Sequence, residues 1–101
     1  MTVALQGDLG KPRPALAIQS DLFDVHASVT VLPLTSALHD APLLRITVQP
    51  DPDNGLRAAS QVMVDRPISV QRERLGPVFG RASDETMLAV NRALAVFLGL
   101  A

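Results

Sequence analysis

Apolar and polar side chains in the middle of this chain alternate with a period of two. Across residues 43–49, Leu44, Ile46 and Val48 fall on one side and Arg45 and Thr47 on the other, the pattern of a half-buried strand. Shorter aliphatic, β-branched runs at 3–6, 15–19, 28–32, 61–64, 68–71 and 78–80 predict further strands. Turn formers punctuate them, most densely in Pro50-Asp51-Pro52-Asp53-Asn54-Gly55. Lys11-Pro12-Arg13-Pro14 cannot be helical, because each proline fixes its own φ and restricts the residue before it. Only the end of the chain changes period. Ser83 is a good N-cap, Asp84 and Glu85 suit the positive end of a helix dipole, and Val90, Leu94, Phe97 and Leu98 form an apolar stripe that Gly99 would stop. Many short strands and one terminal helix predict a mainly β protein, a small β-barrel or curled antiparallel sheet with the helix packed on it. Residues 1–101 read as a single domain, without repeat or linker.

Composition narrows the possibilities. Apolar residues make up 48% of the chain and charged ones 19%, enough to bury a core and too few charges for disorder. In so small a domain, part of that apolar content is expected at a subunit interface. The chain has three aromatics and neither Trp nor Tyr, which argues against single-strand binding on stacked aromatic platforms. There is no cysteine, so disulfides, a thiol nucleophile and Cys-based zinc sites are excluded. His26 and His39 are not spaced as a helical metal pair, and no metal or cofactor is implied. The N-terminal segment lacks the basic-then-apolar pattern of a signal peptide, and no apolar run could span a bilayer; a soluble, cytoplasmic protein is expected. Net charge is −1, but residues 41–81 carry six arginines against four acids, so a local basic groove is possible.

The familiar enzyme templates are missing: no glycine-rich phosphate loop, no nucleophile elbow and no clustered metal ligands. Chemistry would have to come from Arg, Asp, Thr and Ser near strand ends. Arg13, held between two prolines beside Lys11, is either a solvated cation or a pre-set fork for phosphate, since guanidinium binds phosphate oxygens in a planar, bidentate way. Thr35 and Ser36 end an apolar run; such hydroxyls satisfy local backbone groups or donate to a phosphate oxygen. Asp65 and Arg66 follow another, and as neighbours they form an exposed pair worth little unless recruited to a site.

Taken in order, several segments resemble the MazF/PemK toxin family over nearly the whole chain. They are Gly10-Lys11-Pro12-Arg13-Pro14-Ala15, Ile18-Gln19-Ser20-Asp21, Val31-Leu32-Pro33-Leu34-Thr35-Ser36, Asn54-Gly55-Leu56, Ser60-Gln61-Val62-Met63-Val64-Asp65-Arg66 and Val90-Asn91-Arg92-Ala93-Leu94. The resemblance implies an SH3-like barrel with a terminal helix, assembled as a homodimer and inhibited by a cognate antitoxin that covers the site. It implies the toxin of a type II toxin–antitoxin system, a metal-independent endoribonuclease that cuts single-stranded RNA to 2′,3′-cyclic phosphate and 5′-hydroxyl ends. The family's catalytic Arg falls on Arg13 in the first loop, its Thr on Thr35, and the acid of a later Arg-x-Asp motif on Asp65; Lys11, Ser36 and Arg66 are expected at the RNA. Met63 stands where that motif has Arg, and Asp8 is the nearest acid to the first loop, where some members carry His or Glu. The gyrase-poisoning CcdB toxins share the fold and some of these motifs, but they use a Trp near the C-terminus that this chain lacks. An inactive, antitoxin-binding relic is the third alternative.

Overall fold

The computed structural model describes residues 2–6, 12–18, 25 and 27–100. Seven strands, a short 3-10 turn at Arg72–Arg74 and one helix follow in order: β1 (Thr2–Gln6), β2 (Pro12–Ala17), β3 (Ser28–Thr35), β4 (Arg45–Val48), β5 (Ser60–Met63), β6 (Ile68–Gln71), β7 (Leu75–Gly80) and α1 (Asp84–Phe97). The strands run β4-β5-β3-β2-β1-β7, with β6 added on β3, and every pairing is antiparallel. Among the described residues no pairing joins β4 to β7, so the sheet is not closed into a barrel. Mainly β with a C-terminal helix is the architecture expected from the alternation.

The long strand β3 organises the molecule. One of its edges takes β2; the other takes β6 along Ser28–Val31 and β5 at Leu34 and Thr35. Between those two ladders, residues 63–67 stand opposite only Leu32 and Pro33, so the chain around Asp65 and Arg66 is thrown out of the sheet. Pro33 sits where it does least harm. The Ile18 N–H donates to the Thr30 carbonyl (3.1 Å), so by alternation the Pro33 nitrogen faces the interrupted β5–β6 side.

The same parity accounts for Pro12 and Pro14. Their nitrogens face away from β1, so neither proline removes a bond from that ladder; towards β3, where Ala15 pairs with Pro33, Pro14 falls opposite Leu34 and offers it no donor. Arg13 therefore lies within a strand, opposite Leu5, and not in the loop that the family resemblance implied.

Two apolar clusters occupy opposite faces of β2 and β3. Leu16, Leu32, Leu34, Val48, Val62, Val64, Ala82 and Val90 form the larger, with Met87, Ala93 and Leu94 of α1 packed on it; Ala15, Val29 and Val31 form the smaller. The helix begins and ends as its local sequence dictates. Ser83 Oγ accepts the Thr86 N–H (3.1 Å), and Gly99, at φ 75°, closes a Schellman motif with Leu100 N–H donating to Ala95 O (2.8 Å). Its apolar stripe is displaced from the expected one: Val90 and Leu94 face the core, while Phe97 and Leu98 are 44% and 52% exposed. Leu44, expected in a strand, lies in the turn before β4.

The 50–55 turn is built around Asn54, which is 1% exposed. Its side chain donates to Gln49 O (2.9 Å) and accepts from Leu56 N (3.0 Å), replacing backbone partners that the turn lacks. Gly55, at φ 71°, and Gly80 let the turn approach the end of β7. A Cβ on Gly80 would meet the carbonyl carbon and oxygen of Asn54 and stand 2.8 Å from Asp53 O.

Candidate functional site

Registers across four strands bring the sequence-predicted residues together. Thr47 of β4 pairs with Gln61 of β5, and Gln61 pairs with Thr35 of β3. On the other side of β3, Ala15 pairs with Pro33. Carried two residues further along each strand, the same register sets Arg13 across from Thr35. Side chains of paired residues share a face, so Arg13, Thr35, Gln61 and Thr47 form one row. It lies on the face opposite the core of Leu34, Val62 and Val48 that the helix covers.

Arg13 is exposed and makes no hydrogen bond or ion pair among the described residues. That exposure puts its guanidinium within reach of an anion. Thr35 is half-buried, and its Oγ1 accepts the N–H of Ala37 (3.1 Å). A hydroxyl has one proton and two lone pairs, so this turn fixes the oxygen and leaves the proton to be donated. Ser36 beside it is exposed. An exposed cation next to an oriented hydroxyl donor is an arrangement suited to a phosphate.

Asp65 does not pair with Arg66, its neighbour in sequence. It accepts from Nη1 of Arg45 on β4, while Arg66 stays exposed and its N–H donates to Met63 O (3.2 Å). The pair is partly sheltered, with side chains 13% (Arg45) and 25% (Asp65) exposed, and Arg45 also donates to Leu44 O (3.2 Å). Arg45 pairs in register with Met63. An arginine is therefore supplied across the sheet at the place where the family motif carries one along the strand. Lys11, Asp8 and His26 lie outside the described residues.

Sequence reasoning missed Gln61, which the structure puts at the middle of the row and buries to 5% exposure. Its Nε2 donates to His39 O (2.9 Å) and Thr47 Oγ1 (3.2 Å), and its Oε1 accepts from His39 N (2.9 Å). The available signal was an amide at the start of a predicted strand, just before the apolar Val62-Met63-Val64. A concavity of about 570 Å³ lies elsewhere: Asp51, Asp53, Arg81 and Asp84 are among the residues that line it, and its acidic rim makes it a poor seat for a polyanion. Among the described residues no three His, Cys, Asp or Glu side chains cluster as metal ligands, and no helix is long and apolar enough to cross a membrane.

The fold defines the class: a small, mainly β protein of one antiparallel sheet with a C-terminal helix packed on it. Comparison with known proteins specifies it. Residues 1–98 match the family of PemK-like, MazF-like toxins of type II toxin–antitoxin systems, and the chain belongs to that family. It is 50% identical over 92 residues to the "Probable endoribonuclease MazF" of Mycolicibacterium smegmatis, covering 91% of this chain and 84% of that protein. Among solved structures it is similar to the Mycobacterium tuberculosis toxin MazF-mt6 (TM-score 0.84, 25% identity, 99% of this chain and 97% of that one). It is also similar to a mycobacterial endoribonuclease in complex with its cognate antitoxin (TM-score 0.78, 26% identity, 99% and 93% covered).

Proposed function

We propose that this toxin is an endoribonuclease that cuts single-stranded RNA by metal-independent transesterification. One observation supports the assignment of residues: Ala15 pairs with Pro33, and the same register carried two residues on would set Arg13 opposite Thr35 on the face away from the helix. In the reaction the ribose 2′-oxygen bonds to the adjacent phosphorus and the bond from phosphorus to the 5′-oxygen breaks. The 2′-hydroxyl loses its proton and the leaving 5′-oxygen gains one, giving a 2′,3′-cyclic phosphate and a 5′-hydroxyl. Arg13 stabilises the charge that develops on the phosphorane oxygens, and Thr35 donates its hydroxyl proton to one of them as a hydrogen bond. A guanidinium presents its charge through a planar fork of donors, so electrostatic stabilisation is its larger role. Lys11, Ser36 and Arg66 contact the RNA around this point. Asp65, engaged by Arg45, supports the 63–67 excursion before it can act as an acid or base. Metal independence is consistent with a row made of a cation, hydroxyls and an amide, which offers no carboxylate pair.

The chain is read further as a cytoplasmic protein whose sheet curls as an SH3-like barrel and assembles as a homodimer, with a cognate antitoxin as its inhibitor. Exposed Val78 and Phe79 on β7, and Val96, Phe97 and Leu98 at the end of α1, supply the apolar surface that a partner would cover. The relatives support neither a gyrase poison nor an inactive antitoxin binder. The test is cleavage of single-stranded RNA with the fragment ends mapped, in EDTA. Arg13→Ala and Thr35→Ala should each slow it ~10²–10³-fold with the thermal melt unchanged. Undiminished cleavage by Arg13→Ala, or cleavage abolished by EDTA and restored by magnesium, overturns the reading. Light scattering at micromolar concentration should give a dimer mass.

A further inference from the structure

We propose that Gln61 is the positioning residue of this site, holding the 36–44 loop against Thr35. The inference rests on the cleavage function proposed above and deepens it. Residues 36–44 connect β3 to β4 and meet the polar row at Gln61. Three ties shape the loop. Thr35 Oγ1 accepts from Ala37 N at its start (3.1 Å), and Ala41 O accepts from Leu44 N (3.0 Å) and Arg45 N (2.8 Å) at its end. Between them, the Gln61 carboxamide takes both backbone groups of His39, its N–H and its C=O, at 2.9 Å each. This is the pairing a neighbouring strand would offer, supplied by one side chain from 22 residues away.

The geometry makes Gln61 more than a filler. It is the cross-strand partner of Thr35, and its remaining proton goes to Thr47 on the far side. All three of its polar contacts lie inside the protein, so it offers nothing to RNA directly. It acts through what it holds: His39, in the middle of a loop whose start is tied to the Thr35 hydroxyl through the Ala37 N–H. Without the clamp the loop keeps its two ends and loses its middle. Reacting groups displaced by about 1 Å can lose about 10²-fold in rate, so the effect should appear in turnover more than in binding.

The experiment uses the full chain with Gln61→Met, which keeps length and loses every hydrogen bond. Gln61→Glu, which keeps an acceptor for His39 N–H and loses the donor, accompanies it. Amide hydrogen exchange is read at His39 and along 36–44, beside kcat and KM on single-stranded RNA, below the melting range of each variant. The expected result for Gln61→Met is at least ~10-fold faster exchange at His39, with β1, β2 and α1 unchanged. Its kcat should fall ~10–100-fold, with KM changed by less than about threefold. Gln61→Glu should also lose kcat, because a carboxylate facing the His39 carbonyl repels it, and it carries the test if the Met variant fails to fold. Faster exchange with kcat unchanged overturns the positioning role, and unchanged exchange overturns the clamp itself. If the parent cleaves no RNA, the function proposed above has failed, and the exchange data still decide whether Gln61 holds the loop.

Discussion

Replacing Asp65 by Ala separates support from chemistry at the edge of the site. In the parent, Arg45 is held by the Asp65 carboxylate and by Leu44 O, while its buried Nε has no hydrogen-bond partner. Asp65→Ala leaves a largely sheltered guanidinium with one carbonyl as acceptor. Fully buried pairs lose about 3–5 kcal/mol when one partner is removed, and exposed pairs about 0–1 kcal/mol. With Arg45 13% and Asp65 25% exposed, the cost falls between these limits, at about 2 kcal/mol. In a domain of this size each kcal/mol moves the melting temperature by roughly 4–8 °C, so a drop of roughly 8–16 °C is expected by circular dichroism. The double change Arg45→Met, Asp65→Ala should recover part of it, because no orphaned charge remains. RNA cleavage, measured well below the melt, should fall only severalfold. A melt within about 2 °C of the parent refutes the reasoning from burial. An unchanged melt with cleavage lost ~100-fold would make Asp65 a working acid or base.

Other outcomes follow from the fold. Gly80→Ala sets a methyl group against the backbone of Asn54, which has no flexible end to move aside; a loss of about 2–3 kcal/mol is expected in urea unfolding, and a neutral result would show that the turn can shift. Ser83→Ala removes the N-cap bond to Thr86 and should cost about 1 kcal/mol in the same measurement, without touching cleavage. Arg13→Lys keeps the charge and loses the planar fork, so it should cleave RNA faster than Arg13→Ala and well below the parent.

Features encoded within a few residues were legible before the structure. Ser83 and Gly99 bound the helix because capping is local, and alternation over 45–48 identified β4 because one of its faces meets the core. Where the answer depended on a distant partner, sequence reading went astray. Whether Pro12-Arg13-Pro14 can be a strand depends on which edge the prolines face, and that is decided by β1 and β3. Asp65 was read with its neighbour Arg66, but its partner lies 20 residues back on β4. Gln61 was passed over because the backbone it holds is 22 residues away. Periodicity alone assigned Phe97 and Leu98 to the core stripe, although the core ends one turn earlier, at Leu94.

The prolines of β2 carry a consequence for association. An unpaired strand edge ordinarily offers alternating N–H and C=O groups on which a second chain can build, and that is the usual route to fibrils and swapped dimers. Beside Arg13 the side turned away from β1 has carbonyls at positions 12 and 14 and no donors, because both residues are proline. A polypeptide that displaced the end of β3 there would find half of the ladder missing. Exchange of that strand between copies of the chain is thereby disfavoured beside Arg13.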